Sequence, residues 1–125
     1  MTKTRPVYLN LVGIRLPLPA VVSILHRISG ALLFLVGIPV ALYGLQRVLS
    51  SPEAYESFRA CLSHPLAKLG LLGLAWAYLH HFCAGIRYLL LDLHRGIELK
   101  AARQSSVAVL VISLALTAMV GAKLW

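Results

Sequence analysis

The chain has 125 residues, of which 59% are hydrophobic and only 13% charged, with a formal net charge of +8. This balance excludes an ordinary soluble domain and makes a bilayer the solvent. In a soluble protein the basic excess would point to nucleic acid; beside apolar spans, basic residues set topology and touch membrane lipid, so no nucleic-acid partner is expected.

At the start, Leu16-Pro17-Leu18-Pro19 interrupts any continuous helix, so residues 1–20 are expected to lie along the interface. Three stretches free of Asp, Glu, Lys and Arg follow, Ile28 to Gln46, Leu69 to Ile86 and Gln104 to Ala122. Each is close to the ~20 residues that cross the hydrocarbon. The expected fold is all-α: a transmembrane bundle of three spanning helices, at about 21–48, 65–92 and 103–124, with a short interfacial N-terminal segment. Residues 1–125 form a single membrane-anchor domain in this scheme. The first apolar region begins too far along and runs too long for a secretory signal, and the start lacks the periodicity of a transit peptide. A bacterial inner membrane is the expected location.

Ser51-Pro52-Glu53 reads as an N-cap, a first-turn proline and a first-turn acid, opening a short surface helix to about Leu62. His64-Pro65 restarts the chain into the second span, and Leu93 to Arg103 links the last two. Basic residues gather before the first span (Lys3, Arg5, Arg15, Arg27) and after the second (Arg87, Arg95, Lys100, Arg103). Both groups belong on one side, which puts the N-terminus in the cytoplasm and the C-terminus in the periplasm. Cys61 and Cys83 lie at opposite ends of one span and form no disulfide framework; neither is given a role.

Ser23, His26, Arg27 and Gly30 share one stripe where the first span enters the membrane. Arg27 can snorkel to lipid phosphate, but Ser23, Gly30, Gly37 and Gly44 repeat every seven residues as a smooth seam suited to another helix or a flat cofactor. On the second span His81, Gly85, Tyr88 and Asp92 share a face, with His80 about 100° away. An intramembrane histidine one turn from a glycine suits an axial haem ligand; the alternatives are a carbonyl-bonded histidine or a proton relay. If Arg27 and Arg87 mark one rim, His81 lies ~9 Å deeper than Arg87, and His26 just outside Arg27. The two histidines then fall at different levels, with His81 at the iron, His26 and Arg27 at the propionates, and the sixth ligand from another chain. Ser23 and Arg27 can donate to a quinone carbonyl. Asp92 is expected to pair with Arg95 or Arg87, with a proton path as the alternative. His94 is expected on the loop surface.

These residues resemble a family, the cytochrome b membrane-anchor subunit of succinate dehydrogenase, respiratory complex II. The resemblance rests on Arg5-Pro6-Val7-Tyr8-Leu9-Asn10-Leu11, Ser23-Ile24-Leu25-His26-Arg27-Ile28-Ser29-Gly30, and His81 followed by Gly85-Ile86-Arg87 and Asp92, with Ser51-Pro52-Glu53 also similar. The third span resembles the family only in hydropathy. The resemblance implies that His81 ligates haem b, that Ser23 and Arg27 help bind ubiquinone or menaquinone, and that His26 and Arg27 approach the propionates, with Gly30 and Gly85 as packing positions. It implies as partners a second small anchor subunit bringing the other axial histidine, an iron-sulfur subunit and a flavoprotein subunit. Tyr88 departs from the family, which often has histidine after Gly-Ile-Arg.

With no Gly-rich dinucleotide motif and too few cysteines for a cluster, the chain cannot oxidise succinate alone. The alternatives are a haem-free or fumarate-reductase-type anchor, or a structural membrane subunit. A transporter would show broken spans or paired midplane charges, unlike the rim charges here.

Overall fold

The computed structural model describes residue 10 and residues 13–125, so most of the expected interfacial segment, including Lys3 and Arg5, lies outside the described residues. Helix α1 (Leu18–Leu32) starts from extended Pro17. Pro19 falls in the first turn, where an N–H has no intrahelical partner to lose, so residues 18–20 already belong to the helix. The prolines block upstream continuation without blocking entry.

Pro39 leaves a stronger mark. It has no N–H for the Leu35 carbonyl, and its ring crowds that carbonyl. The helix widens just before it into a π turn, Leu33–Gly37, in which the Ile38 N–H reaches back to the Leu33 carbonyl. Helix α2 (Ile38–Ser50) then completes a continuous helical run of 33 residues. In hydrocarbon this rerouting matters, because no water replaces a lost backbone bond.

Helix α3 (Pro52–Leu62) begins as expected, with the Ser51 hydroxyl accepting from the Ala54 N–H at 3.1 Å. Helix α4 (Pro65–Asp92) is capped by His64, whose Nδ1 accepts from the Leu66 N–H at 3.3 Å. At its other end the Arg95 N–H reaches the Leu90 carbonyl and the His94 N–H the Leu91 carbonyl, around His94 in the left-handed region (φ 57°). That bond pair is the Schellman arrangement, with histidine where glycine is usual. His94 is thus a helix stop as well as loop surface. Helix α5 (Leu99–Leu124) opens four residues before the expected 103, from extended Glu98. Its first turns carry Lys100 and Arg103, which the apolar-stretch criterion left out.

Three helical runs, 18–50, 65–92 and 99–124, are long and apolar enough to cross a membrane, and among the described residues there is no strand. Helix α4 packs against both α1 and α5, α1 also meets α5, and α2 lies against α3. Apart from His80 and Arg87, the buried side chains are small or hydroxylic: Val22, Ser29, Ala77, Ala84, Ser106, Val109, Ser113 and Thr117. Small side chains let helices approach closely where lipid tails offer no hydrophobic drive. The hydroxyls of Ser106, Ser113 and Thr117 donate to the carbonyls of Ala102, Leu110 and Ser113 on their own helix, so they occupy the seam without leaving a proton unpaired. Large apolar side chains such as Phe34, Leu35, Leu49 and Leu89 point outward, as lipid-facing surfaces require.

The glycine seam expected along the first span is not one surface. A Cβ at Gly30 would meet His81, one at Gly37 only Leu33 of its own helix, and one at Gly44 the Phe58 ring of α3. The π turn inserts a shift of phase between Gly30 and Gly44, so a seven-residue repeat does not keep one face.

At the start of α3, Glu53 accepts hydrogen bonds from its own backbone and from Ser51, which hold its carboxyl below the usual glutamate range. Because this favours the ionised form in the folded state, its support for α3 is present at neutral pH and is lost as pH falls through that lowered value. Ser51→Ala is expected to cost about 1 kcal/mol of local stability. Hydrogen exchange of the first α3 amides should quicken roughly fivefold at pH 7, and an unchanged rate would remove the cap's role.

Candidate functional site

Helices α1 and α4 run antiparallel, and their register is set by two reciprocal contacts. The His81 ring of α4 lies over Gly30 of α1, where an added Cβ would come within 2.8 Å of its Cε1. The His26 ring of α1 lies beside Gly85 of α4, 3.9 Å from the corresponding Cβ position. Each histidine thus uses the room left by the other helix's glycine. The two imidazoles stack with centroids 4.1 Å apart and planes within 10°.

This geometry corrects the depth assignment, because His26 and His81 are level with one another. The paired contacts place Arg27 opposite Ala84, about one turn deeper than Arg87, so the two arginines do not mark a common rim. A long arginine reaches the headgroups from a turn inside the membrane, which uncouples Cα depth from charge depth. Face-to-face stacking leaves no metal position between the two rings.

His81 is firmly held. Its Nδ1 lies 3.0 Å from the His26 backbone carbonyl and 3.2 Å from the Ser29 hydroxyl, and Ser29 in turn donates to that same carbonyl at 2.9 Å. Two acceptors facing one ring nitrogen assign the proton to Nδ1. Nε2 makes no hydrogen bond with the described residues. Ser29 is 1% exposed and is the residue sequence reasoning missed. Its signal was its place in the Ser23 to Gly30 motif, one residue before the glycine that receives His81.

Arg27 Nη2 donates to the Ser23 hydroxyl at 3.1 Å on the outer side of α1. Ser23 keeps its own proton, and Arg27 its remaining N–H groups, for a further acceptor. The Tyr88 ring sits 5.1 Å from His26 and 5.3 Å from the Arg87 guanidinium, with its hydroxyl buried and unpaired among the described residues.

Asp92 does not form the expected ion pair. It is exposed, and the ion pair among the described residues is Glu56 with Arg59, at 3.9 Å on α3. Arg87 turns instead to α5, where its Nε donates to the Ser105 hydroxyl at 2.9 Å and its Nη2 to the Ala102 carbonyl at 3.4 Å. It is 6% exposed and ties α4 to α5.

His80 faces away from the pair, fully buried and stacked on Trp76 at 5.3 Å. Its ring meets the Val22 backbone of α1, without a hydrogen bond of good geometry to either nitrogen among the described residues. Cys61 and Cys83 are both free thiols. An apolar groove of about 820 Å³ runs along α4 and α5 between Phe82, Ile86, Ile112 and Leu116, with Arg87 and Arg95 lining it as well. Neither histidine of the stacked pair lines it. Among the described residues there is no group of three or more His, Cys, Asp or Glu that could hold a metal ion.

Residues 1–120 match the family described as succinate dehydrogenase/fumarate reductase transmembrane subunit. The chain is 36% identical to the succinate dehydrogenase cytochrome b556 subunit of Coxiella burnetii, over the whole of both chains. It is 35% identical to the cytochrome b556 subunit of Paracoccus denitrificans, over 90% of this chain and 85% of that one. The mitochondrial cytochrome b560 subunit of Bos taurus is 35% identical over 77% of this chain and 57% of its own length. A match along nearly the whole chain, with relatives from bacteria and mitochondria alike, makes this chain a member of the succinate dehydrogenase/fumarate reductase transmembrane subunit family, a cytochrome b membrane anchor of complex II.

Proposed function

We propose that this chain holds haem b through His81 and forms part of the quinone-reduction site of a succinate dehydrogenase, shared with a second small anchor subunit and served by iron-sulfur and flavoprotein subunits. The observation that carries the haem reading is the Nδ1 bond from His81 to the His26 carbonyl, 3.0 Å long. Imidazole ligands of metals commonly donate their other N–H to a carbonyl, which fixes the tautomer and leaves Nε2 with a lone pair for iron. This donor set would fit a haem held by one ligand from this chain, His81, with a second ligand from the partner anchor subunit.

His26 and Arg27 stand on the same α1 turn as the Ser29 support, which suits them to the propionates, and Gly30 and Gly85 keep the helix surface low around His81. When bound, haem b supplies a one-electron carrier beside the quinone. Ser23 and Arg27 bind the quinone: the 3.1 Å bond between them fixes the serine oxygen so that its proton points to a substrate carbonyl, while the guanidinium stabilises negative charge developing there. Reduction to quinol takes up two electrons and two protons. Asp92, exposed at the end of α4, would take up those protons from the cytoplasm. The N-terminus is assigned to the cytoplasm and the C-terminus to the periplasm of a bacterial inner membrane, from the distribution of Lys and Arg. The family description covers both reaction directions, and the relatives named for succinate dehydrogenase favour succinate oxidation.

The deciding experiment is the dithionite-reduced minus oxidised spectrum of the purified native complex. His81→Ala is expected to abolish the b-type signal, whereas His80→Ala leaves it; a signal intact in the first variant refutes His81 as ligand. Gly30→Ala should push the His81 ring from its carbonyl and lower haem occupancy, because its Cβ would lie 2.8 Å from Cε1. Arg27→Ala should raise the KM for quinone by about tenfold or more, the worth of one charge-assisted bond, and Ser23→Ala by about fivefold. Succinate oxidation by an artificial acceptor should be untouched in both, and an equal loss in that assay would point to failed assembly instead.

A further inference from the structure

We infer that Ser29 is a positioning residue that sets the rotation and basicity of the His81 imidazole. The inference rests on the haem reading above and adds a residue to it. Ser29 is 1% exposed, and its Oγ lies 3.2 Å from His81 Nδ1. Its own proton goes to the His26 carbonyl at 2.9 Å, the same oxygen that lies 3.0 Å from His81 Nδ1. The three atoms form a closed triangle in which one N–H is shared by two acceptors. Ser29 therefore acts in two ways. It offers a second acceptor that pins the ring about its long axis, and it competes with His81 for the carbonyl.

Removing the hydroxyl leaves the carbonyl's second lone pair, the one not used in the helix bond, to His81. The single, stronger Nδ1–H bond makes the imidazole more electron-donating, and a more donating axial ligand favours the oxidised iron. The ring also loses one of its two restraints.

The test uses the intact complex carrying Ser29→Ala, which removes one buried atom and retains the helix, with Ser29→Thr as the conservative variant that restores a hydroxyl. Redox titration of the haem absorbance should show a lower midpoint potential in Ser29→Ala at unchanged haem content. The low-spin haem g-values, which follow the axial imidazole plane, should shift with it, and Ser29→Thr should recover both. Potential and g-values unchanged in Ser29→Ala would overturn the inference, as would an equal change in both variants, which would assign the effect to packing. A wild-type complex without haem would overturn the parent reading and this one together, and is recognised before any variant is made.

Discussion

Inside a bilayer no water is available to complete a hydrogen bond, so a polar ring can sit at the helix interface only where the neighbouring backbone has an acceptor to spare. The His26 carbonyl meets that need. A carbonyl has two lone pairs and a helix bond uses one, which leaves the other to be shared by the Ser29 hydroxyl and the His81 Nδ1 proton across the α1–α4 contact. The bond forms only if the helices approach closely, and Gly30 and Gly85 permit that approach at the two places where the imidazoles lie. Register, ring stacking and the free Nε2 all follow from that one donor and acceptor.

The same constraint shapes the rest of the bundle. Arg87 is buried with neutral partners on α5, so its charge is solvated by Ser105 and a helix carbonyl in place of a carboxylate. Asp92, exposed at the end of α4, has no ion pair among the described residues. The seam hydroxyls of Ser106, Ser113 and Thr117 turn their protons back on their own helix. His80 is the exception, a fully buried imidazole that meets the Val22 backbone without a hydrogen bond of good geometry among the described residues.

Much of the architecture was legible in the sequence because its causes are local. Charge-free stretches near twenty residues gave the spans, and Ser51-Pro52-Glu53 and His64-Pro65 gave helix starts that the caps bear out. Ser23 with Arg27, four residues apart on one helix, meet as that spacing requires. What depends on two helices at once was not legible. The level of His26 against His81 could not be counted from arginines whose side chains reach different distances, and Ser29 gained its meaning only from the ring opposite. The π turn is a different case: Pro39 stood in plain view, but a proline signals that a bond is lost without saying how the helix reroutes it.

That π turn divides the first membrane crossing into two mechanical halves. The half before Leu33 is locked to α4 through the histidine and glycine contacts, and the half after Gly37 belongs to α3. A wide turn holds one residue more per bond than its neighbours, so it can absorb a small change in helix phase. Lengthening or shortening the α2–α3 loop therefore need not twist the His26 and His81 contact out of alignment. The two halves of the crossing are thus held by different neighbours, and the π turn is the joint between them.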